Sequence, residues 1–325
     1  MPRQARLDAP GALHHIMVRG INRAHIFADV ADKTRFLERL GQNLRQGQCA
    51  VYAWVLLDNH AHLLFRSGQA SLSAVMRRQL TWYAQDYNRR HRRRGHVFEN
   101  RYKSILCEED QYLLALVRYI HLNPLRANIV KTLAELDRYP FCGHRTLLGK
   151  THQPWMDPGY VLSRFGRTRR QAVTAYRQFM WEGVGLGRQP ELTGGGLRRS
   201  LGGWSQVLAQ RRAGAATAGD ARILGSGAFV QAILQETEER QLRQLKLRRA
   251  GRTIQTLIDE ESRKASISPM EVRNGVRRRA VSQVRAAIAS RGRTELGLSS
   301  AEMARHLGVA ASSISRVVER ADAKR

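Results

Sequence analysis

Two apolar runs constrain the first half of this chain more than any other feature. Cys49 to Leu57 reads CAVYAWVLL and His62 to Arg66 reads HLLFR, with a short turn between them. Runs rich in β-branched and aromatic residues, and too short for a helix of the same burial, are strands that need cover. They are expected to pair antiparallel. Ala12 to Arg19 (ALHHIMVR) reads as a further strand, ended by Gly20. Ala31 to Gln46 places Phe36, Leu37 and Leu40 on one side of a helix, Leu72 to Arg90 is a long helix, and Asp110 to Asn123 is another. Helices packed on an antiparallel sheet make an α+β domain, expected over residues 1–145.

Beyond it the pattern loosens. Residues 146–225 are expected to form a partly helical, Gly/Ala-rich linking region, with Gly194-Gly195-Gly196 and the run from Ala213 to Gly219 as flexible connection and some helix around Thr168 to Glu182. From about 226 to 325 the chain is helical and basic. The three cysteines (Cys49, Cys107, Cys142) form no CxxC pair, so neither a zinc knuckle nor a disulfide framework is signalled, in keeping with a reducing cytoplasm. The N-terminal MPRQARLDAPG lacks the apolar core of a signal peptide, and no stretch approaches the roughly 18 apolar residues of a membrane span. A cytoplasmic, nucleoid-associated location without a membrane partner is expected.

Charge narrows the function. Lys and Arg number 55 against 27 Asp and Glu, a formal net charge of +28. Such a field attracts a polyanion, and nucleic acid is the commonest in cells. The densest stretch is Arg89-Arg90-His91-Arg92-Arg93-Arg94, at the end of a helix that carries Trp82, Tyr83 and Tyr87. The arginines can neutralise phosphates and the aromatics can stack on unpaired bases, or lie in the core beneath a solvated charge run.

His60-Ala61-His62 stands at the junction of the two apolar strands. Side chains at i and i+2 of an extended chain share a face, so both imidazoles can reach one ion while Ala61 points into the core. Taken alone, two histidines on a half-buried strand are more often structural, and a further ligand must come from elsewhere. The helix from Asp110 supplies a candidate. Asp110 is its expected N-cap, Leu113, Leu116, Val117 and Ile120 form its buried stripe, and Pro124 should end it near Asn123. Tyr119 and Asn123 then share a face, four residues apart. Glu108, Glu109 and Asp110 either assist a metal or favour the positive start of the helix.

These residues resemble the single-tyrosine HUH transposases, and within them the REP-associated tyrosine transposases. The likeness rests on MVRGINRAHIF (Met17 to Phe27), WVLLDNHAHLLF (Trp54 to Phe65), GHVFENRYKS (Gly95 to Ser104) and RYIHLNPLRANIV (Arg118 to Val130), in that order, and covers roughly residues 8–145. It implies a ferredoxin-like α+β fold that cleaves single-stranded, hairpin-forming DNA. It implies that His60, His62 and Asn123 bind a divalent cation, Mg²⁺ or Mn²⁺, and that Tyr119 is the nucleophile. His96, Arg101 and Lys103 then border the DNA path with Arg89, Arg90, Arg92, Arg93 and Arg94. The resemblance leaves both a homodimer and a monomer open.

Near the C-terminus, residues 299–320 read as helix, Gly-containing turn, helix, with Ala304, Leu307, Val309, Ile314 and Val317 spaced to pack the two together. Ser312, Ser313, Ser315 and Arg316 would face outward on a recognition helix. With a preceding helix expected over Val272 to Ile288, this segment resembles the C-terminal duplex-binding domain of the replication initiator DnaA. A plain helical hairpin is the alternative. For the whole chain two other readings stand beside the transposase: a DNA-binding regulator that does not cut, and a metal-dependent hydrolytic nuclease in which Tyr119 is incidental.

Overall fold

The apolar hairpin lies at one side of a five-stranded sheet in the order β2-β3-β1-β4-β5, with β1 at Leu13–Arg19, β2 at Ala50–Leu57, β3 at His60–Arg66, β4 at Lys103–Cys107 and β5 at Ile223–Leu224. A computed structural model describes residues 7, 11–68, 71–187, 189, 192–193 and 220–322. The chain divides into two units, Met1–Gln231 and Ala232–Arg325.

In the first unit the four longer strands are antiparallel, and β5 adds a parallel edge to β4. The fold is α+β, and β4 and β5 are the strands the sequence did not announce. α1 (Val30–Gln46) buries Phe36, Leu40 and Leu44 and is capped by Asp29, whose side chain accepts from the Asp32 N–H. α2 (Leu72–Arg90) has the expected bounds. α3 runs Glu109–His121, with Glu108 rather than Asp110 at its N-cap and no side-chain bond there. The chain does not leave the helical path at Asn123: Pro124 opens a second short helix, α4 (Asn123–Arg126), because proline's missing N–H is harmless at a helix start.

Residues 146–186, expected to belong to a linking region, pack on this sheet instead. Trp155, Met156, Val161, Leu162, Tyr176 and Met180 are all buried in the same core as β1–β4. Trp54 of β2 meets Trp155 at 5.5 Å, and Tyr52 stacks on Tyr160 at 4.7 Å. The segments Gly194–Gly196 and Ala213–Gly219 lie outside the described residues. The helix Arg169–Glu182, close to the expected bounds, contributes Tyr176, whose hydroxyl meets His121 Nδ1 at 2.8 Å and His144 Nδ1 at 2.7 Å. His144 Nε2 lies 2.9 Å from Asp137 Oδ1. A carboxylate only accepts, so His144 donates from Nε2 and accepts the Tyr176 proton at Nδ1, and His121 Nδ1–H donates to the Tyr176 oxygen. This buried chain pins the end of α3. Tyr176→Phe strands both imidazole nitrogens and should lower the unfolding free energy by about 1–3 kcal/mol. An unchanged urea midpoint would show that the chain of bonds adds nothing.

The second unit is all helical. Leu257 and Ile258 of Ile254–Lys264, Val272, Val281 and Ile288, and Leu307 and Ile314 form its core. The helix expected over Val272 to Ile288 is two, Pro269–Arg273 and Arg279–Leu296. Gly275, at φ +70°, turns the chain between them. Arg285 is buried there with its donors engaged: Nε, Nη1 and Nη2 donate to the carbonyls of Val272, Val276 and Glu271 at 2.9, 2.7 and 2.9 Å.

Candidate active site

Sheet register determines which side chains meet. His62 is abreast of Met17 on β1 and Val55 on β2, and His60 is abreast of Arg19 and Leu57. His15 pairs with Leu64, so it shares the face of His60 and His62, whereas Ala61 points to the other face and is buried. α3 lies against β2 and β3 and brings Tyr119 to that face. The Tyr119 ring meets the edges of His62 at 5.8 Å and His15 at 5.9 Å between centroids. His60 and His62 are 5.2 Å apart. The structure thus gathers His60, His62 and Tyr119 from distant segments, and adds His15, which the sequence reading did not single out.

Burial keeps these imidazoles neutral. His60 is pushed down to about 4, first by burial and then by the Arg19 charge. His62 is held well below the ordinary histidine range by burial, with smaller effects from His15, His60 and Arg19. Neutral imidazole is the form that ligates a metal.

Two further contacts bear on whether they can. Asn59 Nδ2 donates to the Arg23 carbonyl at 3.3 Å, which leaves Asn59 Oδ1 facing His60 Nδ1 at 2.6 Å. That oxygen can only accept, so His60 carries its proton on Nδ1 and keeps the Nε2 lone pair. His62 Nδ1 lies 2.9 Å from His15 Nε2. A divalent cation is therefore compatible with the donors present: two neutral imidazoles on one face, each with Nδ1 engaged by the protein.

Asn123, the expected third ligand, is buried on the same helical side as Tyr119. Its Nδ2 donates to the carbonyls of Tyr119 at 2.9 Å and Ile120 at 3.3 Å. Pro124 has no N–H to offer the Ile120 carbonyl, and the Asn123 amide serves it instead. With the amide nitrogen so engaged, Oδ1 is the atom that can face a cation. Arg126 stacks over the Tyr119 ring at 5.2 Å and donates to the Tyr119 carbonyl at 3.2 Å. This arginine was another residue that sequence reasoning passed over.

Glu108 and Glu109, at the start of α3, are otherwise engaged. Glu109 pairs with Arg66 and Tyr160, and Glu108 accepts from the Ser226 N–H and hydroxyl. A separate group of metal-compatible donors, Asp29, Asp32 and His91, surrounds the Arg90 guanidinium, which pairs with both aspartates.

The basic stretch sorts into two sets. Arg90 pairs with Asp29 and the buried Asp32 at the start of α1 and so ties α2 to it, whereas Arg89 is exposed and pairs with Asp86 within α2. Arg92, Arg93 and Arg94 are exposed, Arg93 over the Tyr87 ring at 5.6 Å. Tyr83 and Tyr87 are core residues whose hydroxyls donate to the Ile26 and His25 carbonyls, and Trp82 is half-buried beneath Arg35 and Arg39. None of the three aromatics is an open platform for a base. His96 and Arg101 are exposed on the loop that follows, which returns to the end of β1 through Glu99 N–H to the Arg19 carbonyl at 3.0 Å. Lys103 is abreast of Met17, which separates it from His62 two strands away, and its ammonium donates to the Thr193 carbonyl.

In the second unit, Ser300–His306 and Ala311–Asp322 are joined by a turn at Gly308, whose φ of +58° and approach to the Arg273 carbonyl exclude a side chain. Ser312 and Arg316 are exposed, Ser313 and Ser315 half-buried. Ala304, Leu307 and Ile314 are buried as expected, Val309 and Val317 pack half-buried against them, and Val318 joins the buried set.

Comparisons with known proteins bear on the first unit. Residues 10–123 match the family model described as "Transposase IS200 like". A solved structure described as "Structure of the REP associates tyrosine transposase bound to a REP hairpin" is similar at 17% identity and a TM-score of 0.39, covering 48% of this chain and 91% of that one. No curated protein matches this chain. No helix among the described residues is long and apolar enough to cross a membrane.

Proposed function

We propose that this chain, which matches the IS200-like transposases over residues 10–123, cleaves and rejoins single-stranded DNA at hairpins through a tyrosine nucleophile. The observation that carries the reading is the meeting of Tyr119 with His60 and His62 on one sheet face. The Tyr119 phenol attacks a phosphodiester, the phenolic oxygen–phosphorus bond forms, and the bond to the 3′-oxygen breaks. The phenol gives up its proton and the departing 3′-oxygen becomes a hydroxyl. The 5′-phosphotyrosine keeps the energy of the ester, so a 3′-hydroxyl can attack it and reseal a strand without water or ATP.

His60 and His62 would hold a divalent cation through Nε2, with Asn123 Oδ1 as the third protein ligand. When bound there, Mg²⁺ or Mn²⁺ neutralises charge on the scissile phosphate and orients it. Arg126, stacked on the nucleophile's ring, would supply a counter-charge to a phosphate on Tyr119. Neutral imidazoles favour ligation, and the basic surface at Arg92, Arg93 and Arg94 and at Arg101 and Lys103 draws the strand in. Metal dependence follows. His62→Ala and excess EDTA should each lower nicking of a hairpin-bearing oligonucleotide by at least about 100-fold. Full activity in either case would remove the metal from the mechanism.

The second unit is proposed as a duplex-binding module, with the exposed Ser312 and Arg316 and the flanking Ser313 and Ser315 on its recognition helix. Replacing Arg316 and Ser312 by Ala should weaken duplex binding by roughly 10-fold, the cost of one or two lost contacts at about 1–3 kcal/mol each before compensation. Hairpin nicking should be unaffected. Unchanged duplex affinity in a gel-shift titration would leave the helix pair a purely structural one.

A further inference from the structure

We infer that His15 and Asn59 are positioning residues that fix the tautomers of His62 and His60, so that both metal-ligating imidazoles offer Nε2. The inference rests on the proposed metal site and adds what makes two buried histidines usable as ligands. A neutral imidazole has one nitrogen with a lone pair, and the partner of the other nitrogen decides which one it is.

For His60 the assignment is forced by the chain. The Asn59 amide cannot be turned the other way, because its nitrogen is committed to the Arg23 carbonyl. Oδ1 then takes the His60 Nδ1 proton at 2.6 Å. The turn that holds Asn59 is itself tied down. Gly20 N–H donates to the Asn59 carbonyl, and Ile26 N–H and Phe27 N–H both donate to the Asp58 carbonyl, at 2.8–3.0 Å. Gly20 is required here, since a Cβ would lie 2.0 Å from the Ala24 carbonyl oxygen. This gives the N-terminal MVRGINRAHIF segment a physical role: its loop cradles the residue that orients His60.

For His62 the 2.9 Å contact with His15 Nε2 allows two directions. If His15 donated, His62 would be protonated on Nε2 and could not ligate from it. If His15 accepts, His62 carries Nδ1–H and presents the Nε2 lone pair. Only the second agrees with a metal on this face. His15 is fully buried and stacked against His62, with ring centroids 5.2 Å apart at an interplanar angle of 27°, so the acceptor is held at a fixed place rather than sampled. A His on the neighbouring strand thereby does the work that a carboxylate does in many metal sites, without adding a charge.

The tautomers can be read directly. Long-range ¹H–¹⁵N spectra of the metal-free full chain should show His60 and His62 both protonated on Nδ1. An Nε2–H form at His62 would overturn the inference, and this readout needs no variant to fold. Mn²⁺ titration of the DNA-free protein, followed by the EPR signal of free Mn²⁺, supplies the second test. His15→Leu should weaken Mn²⁺ binding by about 10–100-fold, whereas His15→Gln, whose amide oxygen can replace the Nε2 acceptor, should stay within roughly 3-fold of wild type. Asn59→Ala should weaken it similarly. His60→Ala with His62→Ala should abolish saturable binding. If that double variant binds Mn²⁺ as wild type does, the metal site itself is wrong and the inference falls with it. If the double variant loses binding but His15→Leu does not, the metal site stands and His15 has no positioning role. Equal loss in His15→Leu and His15→Gln would make His15 a direct ligand and likewise overturn its role as an acceptor.

Discussion

Tyr119→Phe should abolish formation of the covalent protein–DNA adduct and lower hairpin-strand cleavage by at least about 10³-fold, while hairpin affinity stays within a few-fold of wild type. The magnitude follows from removing the attacking oxygen itself. The substitution keeps the ring. Its edge contacts with His62 and His15 and the Arg126 stack use the aromatic face and edge, not the hydroxyl. Denaturing gels of protein, labelled hairpin oligonucleotide and Mn²⁺ make the comparison. Cleavage that survives in Tyr119→Phe would favour a metal-dependent hydrolytic nuclease, and an adduct-free wild-type protein that binds hairpins would favour a regulator that does not cut.

The second large effect is electrostatic. If the DNA path covers six to ten phosphates, raising salt from 50 to 200 mM should weaken hairpin binding by about 10³–10⁵-fold. The exposed arginines are the ones proposed to carry that slope. Arg92, Arg93 and Arg94 are exposed, so replacing all three by Ala should reduce the slope of log K against log salt by roughly 2–3. Arg90→Ala should act differently. Its guanidinium answers Asp32, which is 1% exposed, so its loss leaves a buried carboxylate short of its cation and lowers stability more than the salt slope. Equal effects of the triple and single substitutions on the slope would place the strand elsewhere.

Much of the first unit could be read from one-dimensional pattern. The β2–β3 hairpin is announced by uninterrupted apolar runs, α1 and α2 by their helical periodicity, and the shared face of Tyr119 and Asn123 by the spacing of four. The period of two in an extended strand places His60 and His62 together whatever they pack against. What the sequence withheld depends on contacts across strands. His15 joins the site only through the β1–β3 register, which no local pattern specifies. Asn59 matters because the Gly20–Phe27 loop holds the turn, a contact between segments more than thirty positions apart. β4 is short and begins with a lysine, and β5 has two residues, too few to show alternation. The stretch from 146 to 186 looked loose because its first helices are only four or five residues long, yet Trp155 and Tyr176 bury as deeply as the sheet. A charge run, too, conceals how it is shared out: Arg90 serves the fold while Arg92, Arg93 and Arg94 face solvent.

The central claim is that Tyr119 becomes joined to the 5′ side of the cut. Mass spectrometry of the protein digested after reaction with a hairpin substrate tests it most directly. The expected result is a 5′-phosphonucleotide on the peptide that contains Tyr119, with a free 3′-hydroxyl on the released strand. A cleaved strand ending in a free 5′-phosphate with no modified peptide, or a modification on any other tyrosine, would contradict it.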